Sequence, residues 1–177
     1  MTVVTNRTFE DSLKQLQSVL EVAPTLVVDG LVQYYPFRHH LGENLTFEAF
    51  QKLISILNQS VKSYIGYNLK FDLHFLQKDG LEVVSKELID VIVMVRLIEH
   101  SDIKELGLTP TGKRAYGEKA VQYDIDTKKL LRSNKWNKDF SMAPPDFLGE
   151  YCKKDVTLTA RIYNDYLKKI EKTGQNK

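Results

Sequence analysis

A chain of 177 residues with 42% apolar and 10% aromatic content can bury one core and is too short for two full domains, so one domain over 1–177 is expected. Its 25 Lys and Arg against 23 Asp and Glu leave a net charge of +2, which neither announces nor excludes a nucleic-acid partner. No stretch approaches the roughly 20 apolar residues of a membrane span, no charged leader opens the chain, and the lone Cys152 excludes an internal disulfide framework and a thiolate zinc site, so a soluble, cytoplasmic protein is expected.

In chain order, FEDSLKQLQSVL sets Phe9, Leu13, Leu16 and Leu20 at helical spacing, and Pro24 separates that helix from TLVVD, a buried-strand pattern ending at Asp29. Asp29-Gly30 is a turn signal, and LVQYYPF reads as a second strand before the polar loop RHHLGEN. Thr46 suits the cap of a helix whose stripe is Phe47, Phe50, Leu53, Ile54 and Leu57. SYIGYN reads as a third strand, and LKFDLHFLQ as the helix after it.

Asp90 caps the apolar helix VIVMVRLIEH, and Ser101 or Asp102 starts a short one beyond it. TPTGKRAYG and DIDTKKLLRSN read as shorter helices, with Trp136 an anchor in the loop-rich stretch that follows. Pro144 and Pro145 open a long final helix with Leu148, Cys152, Val156, Thr159, Ile162 and Tyr166 at helical spacing, and 171–177 reads as a frayed tail. Strands followed by alternating helices indicate an α/β layered domain.

Three aspartates fall where strand ends and helix faces can converge: Asp29, Asp72 and Asp155. Asp72 lies one helical turn after Asn68, and Asp155 one turn after Tyr151, so each pair shares a face. Carboxylates from separate elements repel unless hard divalent cations such as Mg²⁺ or Mn²⁺ sit between them. Two such ions suit phosphodiester hydrolysis, with a tyrosine hydroxyl to orient the water. On the residues alone the plainer readings stay open: Asp29 also suits a hairpin turn, Asn68 and Asp72 helix capping, and Tyr151 with Asp155 an ordinary surface.

GYNLKFDLHFL (66–76) resembles the second motif of the DEDD exonuclease superfamily, and YCKKDVTLTARIY (151–163) its third motif in the tyrosine-bearing form. In this order, with DVIVMVRLIEHSDIKELGL between them, they resemble the 3′–5′ exonuclease domain of family A, DNA polymerase I-like enzymes. The helix leading into an apolar strand that ends at Asp29 fits the same pattern, so the resemblance extends to Tyr166. It implies a ribonuclease H-like mixed sheet flanked by helices and hydrolysis of nucleotides from a single-stranded DNA 3′ end, with a DNA polymerase in trans as a candidate partner. It also implies two Mg²⁺ or Mn²⁺ ions, with Asp29 bridging them, Asp72 and Asp155 each holding one, and Tyr151 positioning the water.

The first motif departs from the family's Asp-x-Glu, reading Asp29-Gly30-Leu31, and VVDG runs straight into LVQYYPFRHH where the family has a further loop and strand. Loss of part of the amino-terminal β-meander accounts for both, and it leaves Asp29 readable as the first-motif aspartate or as the turn residue of the later strand. Glu43, in the following loop, could supply the missing carboxylate but reads better as a solvent-facing loop residue. The rival reading is a catalytically inactive nucleic-acid-binding module of the same fold.

For substrate contact the second motif offers Asn68, Tyr67, Lys70 and Phe71, with Phe75, Tyr116, Lys113 and Arg114 as further candidates. Helical spacing weighs Phe71 and Phe75 towards the core. His39 and His40, adjacent on an extended segment, point to opposite faces and make a poor metal pair, and His74 reads as packing or surface.

Overall fold

The computed structural model describes residues 2–3, 10–11, 32–99 and 103–173. Asp29, Gly30 and Leu31, the first predicted strand, all of the first predicted helix but Glu10 and Asp11, and Ser101 and Asp102 therefore lie outside the described residues. The described part is mixed α and β, with two short parallel strand pairs and a majority of helix.

Strand β1 (Thr2–Val3) pairs parallel with β2 (Gln33–Tyr34), Thr2 facing Gln33. The predicted second strand is thus reduced to two residues: Pro36 has no N–H to give a ladder, and Arg38 takes a left-handed φ of 63°. Strand β3 (Ser63–Gly66) pairs parallel with β4 (Glu87–Asp90), from Ser63 opposite Glu87 to Gly66 opposite Asp90. Parallel neighbours need a crossover, and helix α2 (Leu69–Lys78) supplies it.

Helix α1 (Phe47–Ser60) starts at Thr46, whose side chain accepts the N–H of Ala49 at 3.1 Å, and it buries Phe50, Leu53, Ile54 and Ile56. Phe47, expected on that stripe, is 59% exposed, since helical side chains lean towards the amino end and the first one leans past the core. The far end of α1 is tied down from a distance. Asn58 donates to Gly80 O at 3.0 Å and accepts the Glu82 N–H at 2.8 Å, while Lys86 Nζ donates to Asn58 O and Val61 O at 2.6 and 2.5 Å.

On α2, Leu69 and Leu73 pack with Leu81, so the face carrying Phe71 and Phe75 turns outward. These rings are 61% and 52% exposed, which overturns the expectation that they sit in the core. They meet edge to face with centroids 5.0 Å apart.

The main core joins helix α3 (Val91–Glu99) to the long helix α6 (Pro145–Thr173): Val91, Met94 and Val95 pack on Leu158, Ile162, Tyr166 and Ile170. Helix α4 (Leu108–Tyr116) crosses α6 at Gly112, where a Cβ would come within 2.8 Å of Leu158 Cδ2. Helix α5 (Gln122–Ser133) follows a 3₁₀ turn over Glu118–Val121. Tyr166 donates to Glu99, which also receives Arg114 Nη2 at 2.7 Å, and Tyr116 donates to Asp165 at 2.7 Å.

Trp136 packs on Phe147 beside Leu131, Ala143 and Leu148, as an anchor should. Two expectations for α6 are corrected. The helix continues to Thr173, into the predicted tail, and Val156 is 52% exposed because Leu158 and Ile162 set the buried face. Among the described residues no helix is long and apolar enough to cross a membrane.

Candidate active site

The turn between β3 and α2 is built by three adjacent residues. A Cβ on Gly66 would lie 2.8 Å from Leu69 Cδ1, so the residue stays small. Tyr67 is anchored, its hydroxyl donating to Leu106 O at 2.6 Å and lying 2.7 Å from Thr111 Oγ1. Asn68 has a left-handed φ of 59°, a conformation asparagine tolerates better than most residues, and its side chain makes no capping bond.

The Asn68 N–H instead donates to Asp90 Oδ1 at 2.8 Å, and the same oxygen accepts the Ile92 N–H at 3.2 Å. Asp90 therefore caps α3, as expected, and also clamps the turn that launches α2. Asp72 stands in the first turn of α2. Desolvation raises its carboxyl above the ordinary range, and the Asp90 charge raises it further.

Helices α5 and α6 hold each other by two crossed tyrosine–aspartate pairs. Tyr123 of α5 donates to Asp155 Oδ1 at 2.6 Å, and Tyr151 of α6 donates to Asp124 Oδ1 at 2.9 Å. Asp124 is 2% exposed, and its other oxygen receives Thr109 Oγ1 at 2.8 Å and Lys128 Nζ at 2.7 Å. Burial raises the Asp124 carboxyl, but the hydrogen bonds from Lys128, Thr109 and Tyr151 outweigh it and hold the group below the ordinary range.

Asp155 goes the other way. Desolvation raises it and the Asp124 charge adds to this, against the Tyr123 hydrogen bond and smaller help from Lys128 and Tyr151. Both phenols are pushed well up, first by burial. They line an open hollow of about 460 Å³ that also touches Leu130, Phe147 and Lys154.

Cys152 follows Tyr151 on α6 and is half-buried. Its thiol is pushed up to about 11, first by burial, then by the charges of Asp155 and Asp72. Among the described residues no cluster of three or more His, Cys, Asp or Glu side chains is shaped to hold a metal ion, and Asp29 lies outside the described residues.

The other predicted groups divide clearly. Lys70 and Phe71 are exposed beside Asp72, with His74 against the edge of Phe75 at 5.8 Å. Lys113 pairs with Glu118 at the surface, Arg114 with the half-shielded Glu99, and Tyr116 lies under the Arg161 guanidinium at 3.7 Å. His39 is fixed by Tyr34 Oη at 2.7 Å and Ala143 O at 3.1 Å, and Glu43 is exposed in its loop.

Sequence reasoning missed Tyr123, Asp124 and Thr109. One signal was present: Asp124 stands two turns before Leu131, on the buried face of its helix, where an aspartate needs partners.

The chain matches the family described as 3′–5′ exonuclease, of the DNA polymerase A type, over residues 11–171. It is 28% identical over 158 residues to a DNA-directed DNA polymerase of Pseudomonas phage M6, covering 82% of this chain and 22% of that protein. It is 28% identical over 137 residues to a DNA polymerase of Escherichia phage T5, covering 72% of this chain and 16% of that protein. The chain thus spans only about a fifth of the length of these relatives. No solved structure matches. A match over nearly the whole chain places the chain in the 3′–5′ exonuclease domain family of family A DNA polymerases.

Proposed function

We propose that this chain is a single ribonuclease H-like 3′–5′ exonuclease domain that removes nucleotides from the 3′ end of single-stranded DNA. The observation that carries the reading is the family match over residues 11–171, which takes in the second-motif Asp72 on α2 and the third-motif Tyr151 and Asp155 on α6. Hard oxygen donors of this kind fit Mg²⁺ or Mn²⁺, and Asp29 would complete the set. A pair of such ions would activate water and stabilise the departing 3′-oxygen.

The chain's own residues do the rest. Asp72 and Asp155 would hold the cations, Tyr151 orients the water, and Phe71 offers a ring on which a terminal base stacks, with Lys70 near its phosphate. Tyr67 and Asn68 act from the backbone turn beneath them. A DNA polymerase in trans, in the cytoplasm, is the partner this reading supplies.

Leu31, standing where the family has glutamate, favours a second reading of the same pocket: binding without hydrolysis, or hydrolysis slowed by orders of magnitude. Mn²⁺-dependent degradation of an end-labelled single strand separates the two. The wild type is expected to shorten the strand from its 3′ end and Asp155→Asn to leave it intact. Equal background decay in both, with retained DNA binding, would leave only the binding module.

A further inference from the structure

The hydroxyl that the proposed reaction assigns to water positioning is already committed. Tyr151 carries one O–H, and that hydrogen goes to Asp124 Oδ1 at 2.9 Å. Asp124 is fixed in turn: it is 2% exposed, with Thr109 and Lys128 both donating to Oδ2. Three donors converge on a carboxylate that itself points into no open space, and Asp124 belongs to neither recognised motif.

We propose that Asp124 is a positioning residue for hydrolysis: it takes the single proton of Tyr151, so that the phenol oxygen meets the attacking water only as an acceptor. This rests on the nuclease reading given above. The consequence is directional. A phenol that donated its proton to the water would occupy the lone pair needed for attack. A phenol that accepts one of the water's protons leaves that lone pair free to face phosphorus.

In the step so arranged, the water oxygen bonds to phosphorus and the bond from phosphorus to the 3′-oxygen breaks. One of the water's protons reaches the 3′-oxygen, and the other is released to solvent from the nucleotide's phosphate. Thr109 and Lys128 keep Asp124 from turning, and the Tyr123 bond to Asp155 holds the neighbouring carboxylate in register with it.

Asp124→Asn tests this, because the amide offers one acceptor and one donor where the carboxylate offers two acceptors. Mn²⁺-dependent excision from a labelled oligonucleotide is measured for wild type, Asp124→Asn, Tyr151→Phe and the double variant. Each single variant is expected to lose on the order of tenfold to a hundredfold in kcat with KM for DNA unchanged. The double variant should be no slower than Tyr151→Phe.

Multiplicative losses would show that Asp124 acts independently of Tyr151 and would overturn the proposal while leaving the nuclease reading standing. Absence of metal-dependent excision in the wild type would remove that reading and this one with it. If Asp124→Asn fails to give a cooperative thermal melt, Thr109→Val replaces it in the same cycle. It loosens Asp124 without adding a donor, and a kcat equal to wild type would count against the role.

Discussion

The backbone N–H of Asn68 and the N–H of Ile92 share one oxygen of Asp90, at 2.8 and 3.2 Å. One carboxylate thereby caps α3 and fixes the turn that presents Asp72. Asp90→Ala is expected to cost about 1–2 kcal/mol, the usual price of losing such a cap, in a denaturant melt. Asp90→Asn keeps the acceptor and should restore most of that. It also removes the charge that helps raise Asp72, so the Asp72 carboxyl should titrate lower in this variant, as read by carbon NMR.

Gly112 tests the crossing of α4 and α6. Replacing it by alanine gains about 1 kcal/mol of helix propensity. The new Cβ would lie 2.8 Å from Leu158 Cδ2 and 3.0 Å from Val121 Cγ1, both in the core. Overpacking of this kind costs about 1–3 kcal/mol. A net loss near 1 kcal/mol by urea unfolding is expected, and a stabilised Gly112→Ala would count against a tight crossing at this point.

Phe71 and Phe75 are exposed, so Phe71→Ala and Phe75→Ala should change folding stability by less than about 0.5 kcal/mol. If Phe71 stacks on a base, its removal should weaken single-strand binding by about 1–3 kcal/mol. Fluorescence anisotropy with a labelled oligonucleotide in Ca²⁺ reads this directly. Unchanged affinity would move the strand to another face.

Acid stability should depend on Asp124. Its carboxyl is lower in the folded state than the ordinary value, so the native state binds fewer protons than the unfolded one there. The stabilisation is complete above the unfolded value of about 3.9 and is lost as pH falls through the lower folded value. Asp155 has the opposite sign, since protonation relieves a carboxyl that folding has raised. Asp124→Asn should therefore begin less stable at neutral pH and decline less steeply in acid, measured as unfolding free energy against pH.

The helices were legible where apolar spacing was strong. Thr46, Asp90 and Pro145 mark real starts, and Leu148, Ile162 and Tyr166 face the core as their spacing requires. The chemistry was legible only in part: the motifs point to Asp72, Tyr151 and Asp155, of which Tyr151 and Asp155 are tied by hydrogen bonds to α5.

What sequence could not supply was contact between distant elements. Strand β4 has no alternating pattern, and its pairing comes from parallel register with β3. Phe71 and Phe75 satisfy helical spacing as well as Leu69 and Leu73 do, and only Leu81, arriving from the next loop, decides which face is buried. Tyr123 and Asp124 acquire their roles from α6 and from Thr109, contacts that no local pattern encodes.

Lys86 reaches back to two carbonyls at the end of α1, and Asn58 grips both sides of the loop after α2. The carboxyl end of that helix therefore cannot fray alone. Its last turn, the strand that follows and the segment leading into β4 must open together. Amide hydrogens there should exchange with one shared protection, as a cooperative unit rather than a graded terminus. A base stacking on α2 would then rest on a platform that yields all at once or not at all.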